Sequence, residues 1–170
     1  KFIGVIGPIA VGDAKQYIDG FVKGAKATSS DVKVEVNYIN SFGDVTLAAA
    51  ASRTFGAAGA DVMTGSAQMV AGAIPVAEQV GAAWFGTQAN QTGLSKKVVV
   101  ASQVYHWEVI LDDIVAGLDS GKLGGKTYNL TFANKGLEIE FNPAYKLDPT
   151  IKAKGEATIK AITDGSLKSS

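Results

Sequence analysis

Cysteine is absent from the 170 residues, which excludes disulfides and thiolate metal sites and leaves the redox compartment open. Histidine occurs once, as His106, so a multi-histidine zinc site is impossible. No excess of either charge exists, with 16 basic and 16 acidic residues, so nothing electrostatic argues for nucleic acid or an anionic membrane as partner. No apolar run is long enough to span a bilayer. The G-x-x-x-x-G-K-[ST] phosphate loop is missing, and Gly4, Gly7 and Gly12 lack the G-x-G-x-x-G spacing of a dinucleotide site. No cofactor is expected. Nucleophilic catalysis has little support, because His106 has no Ser and Asp at triad-like positions. Asp44 and Asp61 are single carboxylates and form no acid–base pair. A lead-in is also missing: Lys1 is followed at once by an apolar run. The expectation is that something upstream has been removed or omitted, and that any targeting signal lies there.

What is present is an alternation of strand and helix over residues 1–104, in a chain long enough for one ordinary domain. Residues 2–6 form a nearly continuous apolar run, as in a strand covered on both faces. Asp13, with Gln16 three residues on, reads as the cap of a first helix whose inner positions are Tyr17, Phe21, Ala25 and Thr28. Gly20 and Gly24 lie one turn apart on it, and close packing against the sheet is their expected reason. Residues 32–39 alternate as a second strand, nearer an edge. Residues 45–58 make an alanine-rich helix with Leu47, Ala51, Phe55 and Ala58 inward. Strands are predicted at 61–66, 82–87 and 98–104. Residues 68–80 hold a third helix, which either starts late, with Pro75 in its first turn, or is kinked there. The 88–97 connection is too short for the usual covering helix of a parallel crossover. Trp84, inside a strand, is expected in the core.

The pattern changes after Val104. Trp107, Ile110, Leu111, Ile114 and Leu118 share one face of an amphipathic helix. Residues 121–126 read as a flexible joint. Residues 128–133 and 137–141 read as two strands of a hairpin around Asn134-Lys135-Gly136. Asp148-Pro149 opens a last helix, with Ile151, Gly155, Ile159 and Ile162 on its inner face and its end at Gly165. The tail, 166–170, is expected to fray.

Ligands in an open α/β sheet bind outside the carboxyl ends of parallel strands. The loops that fall there are rich in neutral amides and aromatics: Asn40, Phe42, Gln68, Gln88, Asn90, Gln91, Gln103, Tyr105 and Trp107. An amide offers both donor and acceptor, as the edge of a flat heterocycle does. Aromatics add a stacking surface worth ~1–3 kcal/mol per base in other settings. This suits binding a small uncharged polar molecule without transforming it. The plain alternative is that such amides serve only as turn residues.

Local matches point further. Phe2-Ile3-Gly4-Val5-Ile6-Gly7, Tyr17-Ile18-Asp19-Gly20-Phe21-Val22-Lys23-Gly24-Ala25, Asn40-Ser41-Phe42-Gly43-Asp44, Ala58-Gly59-Ala60-Asp61-Val62, Phe85-Gly86-Thr87-Gln88-Ala89-Asn90-Gln91 and Ile162-Thr163-Asp164-Gly165 occur in one order and spacing. In this the chain resembles the basic membrane protein (Bmp) family of ABC-transporter substrate-binding lipoproteins, which includes purine nucleoside receptors. The resemblance covers nearly the whole chain. It implies a two-lobed type I periplasmic-binding fold with a cleft between the lobes, of which this chain is the second part. A first lobe with a lipid-anchoring Cys would precede Lys1, giving an extracytoplasmic, membrane-anchored protein. The expected fold is α/β, a three-layer doubly wound, mostly parallel sheet in flavodoxin-like order, plus a C-terminal β-hairpin and helix. Residues 1–104 would be the ligand-binding lobe. Residues 105–126 would hold the hinge crossing and a helix belonging to the missing lobe, and 127–170 the return. That helix would then lack its native partner and fold back, pair with another chain, or remain an exposed apolar patch.

The resemblance carries ligand roles over only in part. Phe42 matches a stacking Phe. The family's glycine-rich turn is replaced by Gly65-Ser66-Ala67-Gln68. Its ribose-binding Asp matches Gln88 and its Lys matches Tyr105, so both charged contacts are lost. The candidate site is Asn40, Phe42, Ser66, Gln68, Gln88, Tyr105 and Trp107, with Gln68, Gln88 and Tyr105 reading the edge of a purine nucleobase or related neutral heterocycle. The partners implied are that ligand, an ABC permease and the missing lobe, with no nucleic acid. The competing reading is a ligand-sensing effector domain of a regulator with the same bilobal fold. An enzyme of flavodoxin-like or Rossmann type would need a phosphate loop.

Overall fold

The computed structural model describes residues 1–121 and 124–168. Residues 122 and 123 of the expected joint and the last two residues of the expected frayed tail lie outside the described residues. The chain runs β1 (Phe2–Gly7), α1 (Gly12–Thr28), β2 (Lys33–Tyr38), α2 (Val45–Ala57), β3 (Val62–Gly65), α3 (Val70–Val80), β4 (Ala83–Gln88), β5 (Val99–Tyr105), α4 (Glu108–Asp119), β6 (Leu137–Phe141) and α5 (Pro149–Thr163). The strands form one sheet in the order β2-β1-β3-β4-β5-β6. The first five are parallel and β6 runs antiparallel to β5. This is the expected doubly wound order, and it reverses direction at β1, between β2 and β3.

Alternation along β1 sorts its side chains into two cores. Phe2 and Ile6 join Ala48, Phe55, Met63 and Trp84 on the α2–α3 side. Ile3 and Val5 join Ile18 and Val32 on the α1 side. Gly4 is required where it stands, because a Cβ there would lie 2.5 Å from the Phe55 ring. Trp84 is fully buried, and its indole Nε1 donates to Gln91 Oε1 at 2.8 Å. The edge strand β2 exposes Lys33, Glu35 and Asn37. The other edge, β6, carries Glu138 and Glu140 at alternate positions.

The helices correct several sequence-based assignments. In α2 the buried residues are Ala48, Ala51, Ser52 and Phe55, whereas Leu47 and Ala58 are exposed. The cause is the close approach of α3: a Cβ on Gly72 would stand 2.0 Å from the Val45 carbonyl oxygen. Only small side chains fit at such a crossing, so the alanine and serine positions turn inward. In α1 the fully buried residue is Ile18, with Tyr17, Phe21 and Ala25 partly buried and Thr28 exposed. Val11 rather than Asp13 occupies the N-cap position, without a side-chain cap, and Asp13 lies in the first turn where its charge suits the helix dipole. Gly20 and Gly24 are exposed, and a Cβ at either would meet nothing within 4 Å. The close-packing explanation for them therefore fails. Helix α3 begins at Val70, with Pro75 well inside it on an exposed position, so the late start fails too.

The 89–98 connection holds turns and no helix. Gln91 takes the covering role. It is buried, accepts from Trp84, donates through Nε2 to the Thr87 carbonyl, and its backbone N–H donates to Ser102 Oγ. Gln91 is thus a structural amide and not part of the rim.

The expected C-terminal hairpin is corrected to a single strand. Only β6 forms, and it pairs with β5. Residues 128–133 are not a strand, because the Asn134 side chain draws them into a turn. Its Oδ1 accepts from the N–H of Thr131 and Gly136, and its Nδ2 donates to the Asn129 carbonyl. Helix α5 is capped by Asp148, which accepts from Thr150 N at 2.7 Å, with Pro149 in the first turn. No residue of α5 is buried, and Ile151, expected inward, is 60% exposed. Helix α4 buries nothing either. Ile110 and Ile114 are half-buried, while Trp107, Leu111, Val115 and Leu118 are each more than half exposed. In this chain taken by itself the face does not fold back into a core, and its Trp107, Leu111 and Leu118 stand exposed.

Candidate functional site

The carboxyl ends of β2, β3 and β4 lead into loops tied to one another. After β2, Ser41 Oγ accepts from the N–H of Gly43 and Asp44, and Asp44 caps α2 by accepting from Leu47 N at 2.9 Å. The Phe42 carbonyl accepts from Met69 N at 2.9 Å, which binds this loop to the one after β3. The Phe42 ring is about half exposed. After β3, Ser66 is 2% exposed and its Oγ has no hydrogen-bond partner. The next residue, Ala67, donates its N–H to Gln88 Oε1 at 2.9 Å, joining the β3 loop to the end of β4. Gln68 and Asn40 are exposed.

These loops are strained. Among the described residues the non-glycine positions with positive φ are Asn40 (55°), Ala67 (67°), Gln88 (75°) and Lys135 (60°). All but Lys135 lie on this rim. Side chains adopt that backbone at a cost of ~1–3 kcal/mol each, and such residues gather at ligand clamps and active sites.

The end of β5 builds a separate feature. Tyr105 and Trp107 meet edge to face, with ring centroids 5.8 Å apart. They line an open hollow of about 450 Å³ with Gln16, Tyr17, Gln103 and Tyr128. The Tyr17 hydroxyl donates to Thr64 Oγ1 at 2.7 Å, which donates in turn to the Phe85 carbonyl. Burial pushes the Tyr17 phenol well above its usual range, so it stays neutral. Gln103 Oε1 accepts from Thr87 Oγ1 at 3.1 Å. None of Asn40, Phe42, Ser66, Gln68 and Gln88 lines this hollow. The seven candidate residues therefore fall into two groups, one on the linked β2–β4 loops and one at the β5 end. Tyr17 and Tyr128 were missed as liners. For Tyr17 the available signal was a phenol on an inward helix face, a polar tip that needs a partner.

His106 lies at the β5–α4 junction. Its Nδ1 is 3.0 Å from Glu108 Oε1 and its Nε2 is 3.1 Å from Glu138 Oε2. Hydrogen bonds to Glu108, and then to Glu138, hold its pKa above the ordinary value. The single carboxylates elsewhere have structural duties: Asp44 is a helix cap, and Asp61 accepts from Phe2 N at 3.1 Å.

A parallel sheet in 2-1-3-4-5 order with an antiparallel sixth strand, and loops gathered at one end, is the architecture of a type I periplasmic-binding-protein lobe. Solved structures share it. A solute-binding protein of an ABC transporter system from Conexibacter woesei superposes with a TM-score of 0.76 at 17% identity, over 98% of this chain and 56% of that one. A transcriptional activator of the comK gene from Bacillus halodurans superposes at 0.81 and 17% identity, over 98% and 57%. At that identity the likeness is one of fold. Sequence narrows it: residues 1–170 match the family described as "ABC transporter substrate-binding protein PnrA-like" (Bmp), and the chain belongs to that family. It is 27% identical over 149 residues to basic membrane protein D of Borreliella burgdorferi, covering 85% of this chain and 44% of the relative. It is 27% identical over 165 residues to a purine-binding protein of Brucella abortus, covering 96% and 46%. The chain thus spans about half the length of these curated relatives. The family is one of extracytoplasmic solute-binding proteins, not enzymes.

Proposed function

We propose that this chain is the second lobe of an ABC importer's substrate-binding protein, and that its rim holds a purine nucleobase or related neutral heterocycle in a cleft closed by a first lobe. The observation that carries the reading is the strain at Asn40, Ala67 and Gln88, which follow or end β2, β3 and β4 at the carboxyl edge of one sheet. Strain fixed on a rim pre-organises it for a ligand. The purine class is supported by the Brucella relative and by the neutral chemistry of the loops. Phe42 offers a ring face for stacking. Ser66 has an unspent hydroxyl. Gln88 has committed Oε1 to Ala67, so it offers a ligand its amide nitrogen as a donor. Gln68, Tyr105 and Trp107 complete the set when the lobes close. Within this reading, residues 1–104 are the ligand lobe, 105–126 cross the hinge and supply a helix to the first lobe, and 127–170 return. The exposed stripe of α4 is the surface that lobe would cover. A lipid site upstream would anchor the protein, and a permease would receive the ligand.

A thermal-shift panel of nucleobases, nucleosides, sugars and amino acids tests this, run on this chain and on the chain extended by its encoded upstream residues. Binding at 100 times Kd stabilises by ~2.7 kcal/mol. The extended protein should respond to bases, and this chain weakly or not at all, since half a cleft cannot close. A response to nucleosides would overturn the roles given to Gln88 and Tyr105. A response only to sugars or amino acids would overturn the purine class. Unchanged base affinity in Gln88→Ala would remove Gln88 from the site.

The likeness to the Bacillus halodurans activator favours one second reading, an effector domain of a regulator. A helix-turn-helix encoded upstream would select it. A signal peptide with a lipid-attachment Cys would select the importer.

A further inference from the structure

At the β5–β6 edge, next to Tyr105 and Trp107, stands a group of side chains to which the proposed solute site gives no role. His106 follows β5, and its backbone N–H donates to the Gly136 carbonyl at 2.9 Å, which fixes it beside the start of β6. Glu138 and Glu140 are two residues apart on β6, so strand alternation puts both on one face. One ligand atom from each of His106, Glu138 and Glu140 lies within 4.8 Å of the other two. Glu140 is further held by a hydrogen bond from Asn90 Nδ2.

We propose that His106, Glu138 and Glu140 form a site for a single divalent transition-metal ion of the zinc type. A tetrahedral zinc ion with bonds of about 2.0–2.2 Å sets neighbouring donor atoms about 3.4 Å apart. The 3.1 Å between His106 Nε2 and Glu138 Oε2 is already close to that, and a small rotation brings in Glu140. The independent support comes from Glu108. It stands 3.0 Å from Nδ1, the nitrogen a metal would not use. Accepting from Nδ1–H fixes the tautomer and turns the Nε2 lone pair toward the two β6 carboxylates. Metal-binding histidines are oriented by this carboxylate–histidine arrangement. Charge points the same way. Among the described residues no lysine or arginine pairs with Glu108, Glu138 or Glu140: His106 pairs with the first two, and Glu140 takes a hydrogen bond from the neutral Asn90 amide. One imidazolium leaves negative charge over, which a dication would neutralise. The donor set of one imidazole and two carboxylates suits zinc, whereas magnesium and calcium prefer oxygen alone. Glu108 is a positioning residue and water would complete the coordination.

Isothermal titration calorimetry of this chain with zinc chloride and with magnesium chloride tests the site. One zinc ion per chain should bind saturably, reversibly with a chelator, and magnesium should give no saturable heat. His106→Ala and Glu138→Gln should each weaken zinc at least tenfold. Glu108→Gln should weaken it about 10–100-fold while keeping one ion per chain. Cobalt(II) gives a second readout, a visible ligand-field band that His106→Ala should abolish. The substituted side chains lie at the surface, and circular dichroism checks that each variant is folded. Absence of saturable zinc binding would overturn the proposal. So would zinc binding that survives His106→Ala and Glu138→Gln unchanged, or uptake of several ions per chain insensitive to these changes.

Discussion

The chain has two tryptophans, and they mark two regions built on different terms. Trp84 has no exposed surface, whereas Trp107 is 52% exposed. Trp84 lies on a sheet face roofed by α2 and α3, with Gln91 taking its N–H. Trp107 opens a helix that faces, among the described residues, the 124–130 segment and an open hollow shared with α1 and the end of the sheet. An apolar stripe is therefore not by itself a core. It becomes one only where a second layer exists to meet it, and in this chain that layer exists up to β5 and thins beyond it.

The contrast can be broken by mutation. Trp84→Ala should cost ~3–5 kcal/mol in urea unfolding, as a cavity in a packed interior does. Trp107→Ala should stay within about 0.5 kcal/mol, and equal costs would dissolve the distinction. The glycines sharpen it next. Gly72→Ala drives a Cβ into the Val45 carbonyl and should cost ~1–3 kcal/mol. Gly20→Ala meets nothing and should raise stability by up to ~1 kcal/mol through helix propensity. The two aspartate caps come third. Asp44→Ala should lower global stability by ~1 kcal/mol. Asp148→Ala, on a helix with no buried residue, should show mainly as faster amide exchange within α5, a local opening. The smallest effect is electrostatic. Lys97 and Ser95 hold the Glu78 pKa below its ordinary 4.5. Its contribution is therefore present above that value and lost as pH falls through the depressed one. Glu78→Gln should flatten that part of the acid unfolding curve and leave the neutral region nearly unchanged.

Much of the fold was legible because periodicity reports burial. The order of elements up to β5, the edge position of β2 and the core position of Trp84 all follow from runs of apolar residues and the turns between them. The inner face of α2 was less legible. Helical spacing alone chose Leu47, and only the contact of α3 with the α2 backbone shows why Ala48 and Ser52 face inward instead. The hairpin was misread because Asn134-Lys135-Gly136 signals a turn equally well when one arm is no strand. For the candidate site, residue types marked the rim, but the partner of each amide was invisible. Gln88 and Gln91 look alike in sequence. One ties two strained loops together at the surface, and the other seals the Trp84 indole inside.

The charged outer strands bear on how copies of this molecule meet. An open sheet ends in two rows of backbone groups, each a template for another chain. On β2, Lys33, Glu35 and Asn37 stand exposed. On β6, a second copy adding antiparallel about Ile139 would set Glu138 against Glu140, like charge facing like charge. Self-assembly through that edge is opposed by repulsion. Whatever neutralises those two carboxylates would also lower the barrier to pairing of two copies through that edge, a contact that closes on itself as a dimer.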